Sequence, residues 1–195
     1  DFVFFEVSMT QKFAESERLE FYQPAAADYE FMRQMLIDEM TPKNQVDPVT
    51  REQIEAIIER TKKQWKKYGF GTCVAKLKST GECIGVGGAK YISINNQQIL
   101  DIGAIIKKAF QGQGYAAEAF PVFLEKTFHE LNIDQVATAI NPHNEPVMHL
   151  VEKMGYRYIR DVDYELDGAR YQGQRYYELT REEFEKAQKT QPAFR

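Results

Sequence analysis

The segment that most restricts this chain runs from residue 98 to residue 140. Residues 98–106, Gln-Ile-Leu-Asp-Ile-Gly-Ala-Ile-Ile, are almost continuously apolar, as in a strand covered on both faces. The loop Gln111-Gly112-Gln113-Gly114-Tyr115-Ala116 follows. It opens a helical pattern over 114–131 that carries Ala117, Phe120, Val122, Phe123, Leu124 and Phe128. Residues 134–140 read as a strand. Strand, helix and strand in that order predict a right-handed parallel crossover. Gly103 inside the first strand predicts a bulge or a close backbone approach, and Pro121 predicts a kink in the helix.

The flanking segments fit around this unit. Arg18 to Tyr22 alternates and stops before Pro24, which predicts an edge strand. Residues 26–39 place Tyr29, Met32, Met35, Leu36 and Met40 at helical spacing, with Asp28 or a neighbour as the cap. Thr41-Pro42-Lys43-Asn44 and Asp47-Pro48 mark a loop. Thr50-Arg51-Glu52-Gln53 resembles a capping box, and it leads into a helix that buries Ile54, Ile57, Ile58, Thr61 and Trp65 and ends at Tyr68-Gly69. Residues 70–77 and 83–94 predict a hairpin. Asn141-Pro142-His143-Asn144 is a turn whose Asn144 can cap a helix running to Met154 and Gly155. Strands over 156–166 and 170–179 flank the turn Asp167-Gly168, and Thr180 caps a last helix. The order is that of an α/β domain with a mixed sheet.

Composition narrows the class of protein. The 195 residues suit one domain, with 43% hydrophobic and 28% charged residues. The formal net charge of −4 lacks the basic excess of a nucleic-acid platform and suits a cationic acceptor. No apolar run is long enough to span a membrane, and Phe2-Val3-Phe4-Phe5 is too short for a signal peptide. Cys73 and Cys83 flank a turn, are not directly opposite, and read as reduced thiols of a cytoplasmic protein. The chain begins at Asp1, so Met9 is a candidate native start with residues 1–8 an appendage.

The loop 111–116 carries the chemistry. Its small residues admit a ligand to the backbone, and the first N–H groups of the following helix are unpaired at the positive end of the dipole. That combination binds a diphosphate without a lysine. From the six residues alone, a tight turn that binds nothing is equally open. No Gly-Lys-Ser/Thr follows, so the loop is not a P-loop, and the glycine spacing is not that of a dinucleotide fold. Gly85-Val86-Gly87-Gly88 lies inside a predicted strand and reads as close packing or a bulge.

Gln111, Gly114 and Ala116 fill a Gln/Arg-x-x-Gly-x-Gly/Ala signature, and the chain resembles the GNAT N-acetyltransferase superfamily. Glu17-Arg18-Leu19, Asp101-Ile102-Gly103, Gly112 to Ala119, Asn141-Pro142-His143-Asn144, Glu152 to Tyr156 and Leu179 to Phe184 resemble, in order, segments of its subfamily of ribosomal-protein N-terminal acetyltransferases. The resemblance covers about 17–185 of a single domain and leaves 1–16 as an N-terminal appendage. It implies a mostly antiparallel mixed sheet, with a central splayed parallel strand pair, flanked by helices. It implies acetyl-CoA as co-substrate and no metal. The diphosphate would sit on Gln111, Gly112, Gln113, Gly114, Tyr115 and Ala116, and the pantetheine would run beside Ala104, Ile105 and Ile106. Asn144 would reach the pantetheine. Lys153 would approach a CoA phosphate or stand as a solvated helix lysine.

The implied reaction is direct attack of a neutral amine on the thioester, with an oxyanion met by a backbone N–H near Ile105 or Ile106. Where many members carry a serine or tyrosine as acid, this chain has Val147 and Val151. His149, a tyrosine from 156–177 or solvent must then supply the proton. Asp101 is open between a structural hydrogen bond and contact with the acceptor amine, and serves as candidate base. Glu118 reads as a support of the helix start, and His143 as a turn residue. An α-amino acceptor needs less help from a base than a lysine. The readings left open are a protein N-terminal acetyltransferase, a small-molecule amine acetyltransferase (an antibiotic, polyamine or amino-acid analogue), and a CoA-binding module without turnover. The acceptor cleft is expected between residues 26–68 and the 164–176 hairpin, where an open groove would favour the first and a closed aromatic pocket the second; Tyr164, Tyr171, Tyr176 and Tyr177 make that end aromatic-rich, as sheet packing or as such a pocket. The expected partner is an amine acceptor, with no nucleic acid and no membrane, in a monomer or a homodimer.

Overall fold

The structure is a computed structural model that describes residues 11–40 and 49–190. The proposed start at Met9 and the loop residues 41–44 and 47–48 lie outside the described residues. In chain order the elements are β1 (Lys12–Glu15), β2 (Leu19–Tyr22), α1 (Asp28–Met40), α2 (Arg51–Tyr68), β3 (Thr72–Leu77), β4 (Cys83–Ile94) and β5 (Gln97–Ile106). They continue with α3 (Tyr115–Glu125), β6 (Gln135–Ile140), α4 (Glu145–Lys153), β7 (Arg157–Leu166), β8 (Ala169–Thr180) and α5 (Arg181–Thr190).

Two sheets form, with orders β1-β2-β3-β4-β5 and β6-β8-β7. Every ladder among the described residues is antiparallel. This corrects the expected parallel crossover: β5 and β6 lie side by side but share no ladder. Each strand spends its hydrogen bonds on its other side, β5 on β4 and β6 on β8. The edge strand is also reassigned. Residues 12–15, which the sequence placed in the appendage, pair with β2 and form the edge, so Leu19–Tyr22 is internal. Phe13 explains the attachment, because it packs edge-on against Trp65 with ring centroids 5.5 Å apart.

The strand period of two sends alternate residues to opposite helical layers. On β3, Val74 joins Met32, Leu36, Ile54 and Ile58 of α1 and α2, while Cys73, Ala75 and Leu77 join the layer of α3. Phe123 of α3 meets Phe21 of β2 at 4.6 Å between ring centroids, and both rings are 1% exposed. Each such ring contributes roughly 1.5–3 kcal/mol by leaving water. Cys73 lies opposite Gly87 and Cys83 opposite Lys76, so the two thiols are free and not cross-strand neighbours. Burial pushes the Cys73 thiol up, away from the thiolate a nucleophile would need.

The predicted caps are in place. Thr50 Oγ1 accepts from Gln53 N–H at 3.3 Å while Gln53 Oε1 accepts from Thr50 N–H at 2.9 Å. Glu183 and Thr180 repeat the exchange at the start of α5. Asp167 and Gly168 both take positive φ, 51° and 77°, as a two-residue hairpin turn requires. Asn144 is a partial correction: it holds the position before α4, but its side chain makes no capping hydrogen bond. Pro121 lies within α3, where Ala117, the residue whose carbonyl it leaves without a helical donor, is exposed to water. The regular helix ends at Glu125, short of the predicted 131, in a wider turn closed by Leu131 N–H on Lys126 O at 2.9 Å.

Gly103 makes no bulge, since the β4–β5 register runs unbroken through it. The close approach occurs instead at Gly88, where φ is 149° and an added Cβ would stand 2.3 Å from Gly71 O. Gly88→Ala should therefore cost about 1–3 kcal/mol of stability through overpacking and backbone strain. Chemical denaturation measures this directly, and an unchanged midpoint would contradict the packing described.

Candidate active site

The unpaired sides of β5 and β6 border a cavity of about 230 Å³. Gly103, Ala104 and Ile105 line it from β5, Thr138 to Ile140 from β6, and Asn144, Val147 and Val151 from α4 and its approach. The structure thus brings Asp101, Ala104, Ile105, Asn144 and the two valines to the lining of one cavity. Val147 and Val151 make it apolar where a proton donor was sought.

The β4–β5 ladder fixes where the backbone donors point. Lys107 N–H donates to Ile84 O at 2.8 Å, which sets the alternation along the pair. Ile105 is turned toward Val86, while Ala104 and Ile106 present their N–H and C=O groups away from β4. Of the two candidate oxyanion donors, only Ile106 faces the open side. Its carbonyl accepts from Gln111 Nε2 at 2.7 Å. Gln111 Nε2 also meets Glu39 Oε2 at 3.0 Å, and Glu39 Oε1 accepts from Lys108 N–H at 2.7 Å. The signature glutamine therefore joins the glycine loop to the end of β5 and to α1.

The loop itself leaves its backbone donors open. Gly112 and Gly114 take φ of 75° and 83°, and a Cβ on Gly112 would meet nothing within 4 Å. Among the described residues, the N–H groups of residues 112–117 make no backbone hydrogen bond. These donors and the dipole of α3 fit a diphosphate without further residues. Arg18, which the sequence supplied only as part of a motif, adds a cation. Its guanidinium lies 4.2 Å from the centroid of the Tyr115 ring, and Nη2 donates to Gln113 O at 3.1 Å. Glu118 holds Arg18 there. It accepts from Arg18 N–H and Arg18 Nε, both at 2.7 Å, and from the Ser16 hydroxyl at 2.6 Å. Beyond supporting the helix start, Glu118 is a clamp between β2 and the loop.

Asp101 is 8% exposed and paired with Lys90, directly opposite on β4. Both line the cavity. The structural half of the alternative, a partner for the Asp101 carboxylate, is present as this ion pair. Tyr164 and Tyr171 also line it, stacked with centroids 4.7 Å apart and planes 6° apart. Burial, then the neighbouring Tyr171 and Asp101, push the Tyr164 phenol up, so it stays protonated but is a weak acid. Tyr176 and Tyr177 pack in the cores, and Tyr177 donates to Glu152 Oε1 at 2.9 Å. Tyr156, the first of the tyrosines over 156–177 considered as acid, does not line the cavity and buries a hydroxyl that has no hydrogen-bond partner among the described residues.

Other candidates are not brought to the cavity. His149 is exposed on α4 and does not line it. His143 is exposed in the turn, where its N–H donates to Asn141 Oδ1 at 2.9 Å. Lys153 is exposed in the last turn of α4. The roof comes from the two segments expected to shape the cleft, 26–68 and 164–176, but its individual contacts were not legible in the sequence. Arg60 of α2 pairs with Asp167 at 2.7 Å, and Gln53 Nε2 donates to Gly168 O at 2.9 Å. These contacts fasten the tip of the β7–β8 hairpin over the cavity.

An acetyltransferase (GNAT) domain model matches residues 18–157. The chain belongs to the GNAT acetyltransferase family. It is 33% identical over 97 residues to the uncharacterized protein YkkB of Bacillus subtilis, covering 50% of this chain and 56% of that one. It is 30% identical over 106 residues to the probable N-acetyltransferase YjcK of Bacillus subtilis, covering 54% and 56%. The matched segments thus span about half the length of these curated relatives. Among solved structures, an acetyltransferase from Agrobacterium tumefaciens aligns with a TM-score of 0.72 at 21% identity, over 88% of this chain and 96% of that one. The spermidine N-acetyltransferase from Vibrio cholerae in complex with CoA and spermine aligns at 0.66 and 18%, over 86% and 98%. At these identities the structural likeness establishes the GNAT fold. No helix among the described residues is long and apolar enough to cross a membrane.

The clamp at the GNAT loop makes a pH-dependent prediction. Burial raises the Glu118 carboxyl, but hydrogen bonds from Ser16 and Arg18 outweigh it and hold the carboxyl below its ordinary 4.5. A depressed folded-state value means that the contribution is complete above the ordinary value and is lost as pH falls through the folded one. Glu118→Gln should lower Tm by a constant margin between about pH 6 and pH 8, and the gap should close below about pH 4. A gap unchanged by acid would remove the clamp.

Proposed function

We propose that the protein transfers an acetyl group from acetyl-CoA to the primary amine of a small molecule held between β5 and β6. The observation that carries this reading is the roofed cavity. One wall holds the β5 residues beside which the pantetheine would lie, and the opposite side is closed by the hairpin bound to α2. Its volume of about 230 Å³ is below the roughly 300–1,000 Å³ typical of drug-sized sites, which favours a compact acceptor over a peptide lying in a groove. A small-molecule substrate also occurs at the same fold, in the spermidine enzyme from Vibrio cholerae.

Bound acetyl-CoA supplies the activated acyl group. The N–H groups of 112–117, with Arg18 beside them, hold the diphosphate, and Asn144, free of a capping role, meets the pantetheine. Lys153 would meet a more distal phosphate. Gln111 fixes the Ile106 peptide, so that its outward N–H is aimed before substrate arrives. Asp101 orients the incoming ammonium, and the proton passes to solvent, since a carboxylate is a poor match for an amine of pKa about 8–10. The valine wall excludes water from the reacting atoms and donates nothing. The Tyr164 phenol is too weak an acid to drive protonation of a thiolate whose own pKa is about 8.5. Release of CoA as thiolate, protonated by solvent, follows.

Thiol release over a panel of amines and free-N-terminus peptides tests the reading, with acetyl-CoA binding measured separately by calorimetry. Turnover of small amines at higher kcat/KM than peptides is expected. Preference for peptides would move the function to protein N-termini, which the sequence motifs resemble. Ala116→Asp isolates the loop. A carboxylate in the first turn suits the helix dipole and leaves the fold intact, but it meets the diphosphate and should weaken acetyl-CoA binding at least about tenfold. Unchanged binding would place the donor elsewhere.

A further inference from the structure

The cavity proposed to hold the acceptor carries its own balanced charges. Lys90 and Asp101 form one pair in its wall and Arg60 and Asp167 a second at its roof, so the four cavity-lining charges cancel. A polycationic amine would find no unneutralised carboxylate among these four groups, and would meet the Lys90 ammonium beside Asp101. We infer that the acceptor is zwitterionic: a free amino acid, or an analogue carrying a carboxylate next to the amine, acetylated on its α-amino group. This rests on the small-molecule reading above and names the class of molecule.

Three features support it. Lys90 has three N–H donors and spends one on Asp101 Oδ2, while Asp101 Oδ1 accepts no hydrogen bond among the described residues. A donor and an acceptor of opposite charge therefore stand side by side. An amino acid presents its carboxylate and ammonium with the same close spacing, carboxylate toward Lys90 and ammonium toward Asp101.

Gly103 keeps that pair accessible. A Cβ at this position would come within 3.4 Å of Lys90 Nζ and 3.8 Å of Asp101 Oδ2. Neither a bulge nor a positive φ requires glycine there. What the missing side chain provides is clear space in front of the two charges.

The remaining walls suit the side chain of such a molecule. The stacked faces of Tyr164 and Tyr171, with Met32, Leu36 and Ile92, make the rest of the cavity largely apolar. The amine nitrogen forms the amide bond as the thioester C–S bond breaks. Its proton goes to solvent, and CoA leaves with the sulfur electrons.

Matched acceptors test the inference. Phenylalanine with phenethylamine, and leucine with 3-methylbutylamine, differ only by the carboxylate. In thiol-release assays the amino acid should exceed its decarboxylated partner in kcat/KM by about 10–100-fold, the size of one charge-assisted hydrogen bond, and should exceed spermidine as well. Lys90→Met should collapse that ratio toward one or reverse it, since Asp101 is then left to attract a bare cation. Gly103→Val provides a second variant if Lys90→Met fails to fold. It should abolish turnover of amino acids while acetyl-CoA still binds. Equal or faster turnover of the decarboxylated amines or of spermidine would overturn the zwitterion and leave small-amine acetylation standing. Absence of thiol release with every acceptor, despite acetyl-CoA binding, would remove both.

Discussion

The strand β5 is paired with another strand along one side only. Ten consecutive residue pairs tie it to β4, and no ladder reaches β6 beside it. Backbone groups cost free energy when buried without partners, so an unpaired strand side must face solvent, a side chain or a ligand. In this chain it faces a cavity. The opening between the two sheets, the outward N–H of Ile106 and the approach of α4 all depend on that missing ladder.

The ends of the opening are held by specific contacts. At one end, Gln111 binds the last carbonyl of β5 and touches Glu39, while Glu118 clamps Arg18 onto the loop. The loop is thus placed by groups from α1, β2 and α3, and its glycines supply conformation and access. At the other end, Arg60–Asp167 and Gln53–Gly168 hold the β7–β8 tip. Both groups of Arg60–Asp167 are largely covered, so the pair is less screened than an exposed one and can fix the hairpin where a surface bridge would contribute little. The same fastening covers that side of the cavity.

Much of the framework was legible because local rules suffice for it. The capping boxes at Thr50 and Thr180, the turn at Asp167-Gly168 and the alternation of Val74 against Cys73 and Ala75 are all set by neighbours in sequence. The edge strand was misassigned because β1 is short and owes its place to Phe13 meeting Trp65, a contact no local pattern announces. Gly103 was read as a backbone device because in sequence a glycine signals its own dihedral freedom. Its consequence lies across the strand pair, at Lys90 and Asp101. Lys90 itself went unmarked, since a lone lysine in a strand pattern has no partner until the register is known.

The sequence by itself determined the order of elements from β2 onward, most helix boundaries to within a few residues, the glycine loop at the start of α3 and the absence of a proton donor at Val147 and Val151. These follow from periodicity, capping and residue chemistry, which act over short separations. Tertiary structure alone decided that β5 and β6 part without a ladder, that Arg18 reaches the loop, that Lys90 pairs with Asp101, and that Arg60 and Gln53 hold the hairpin tip. Each of these joins groups far apart in the chain. Such pairings are fixed by sheet register and by the packing of α1 and α2 on the sheet, and neither can be read from any one segment.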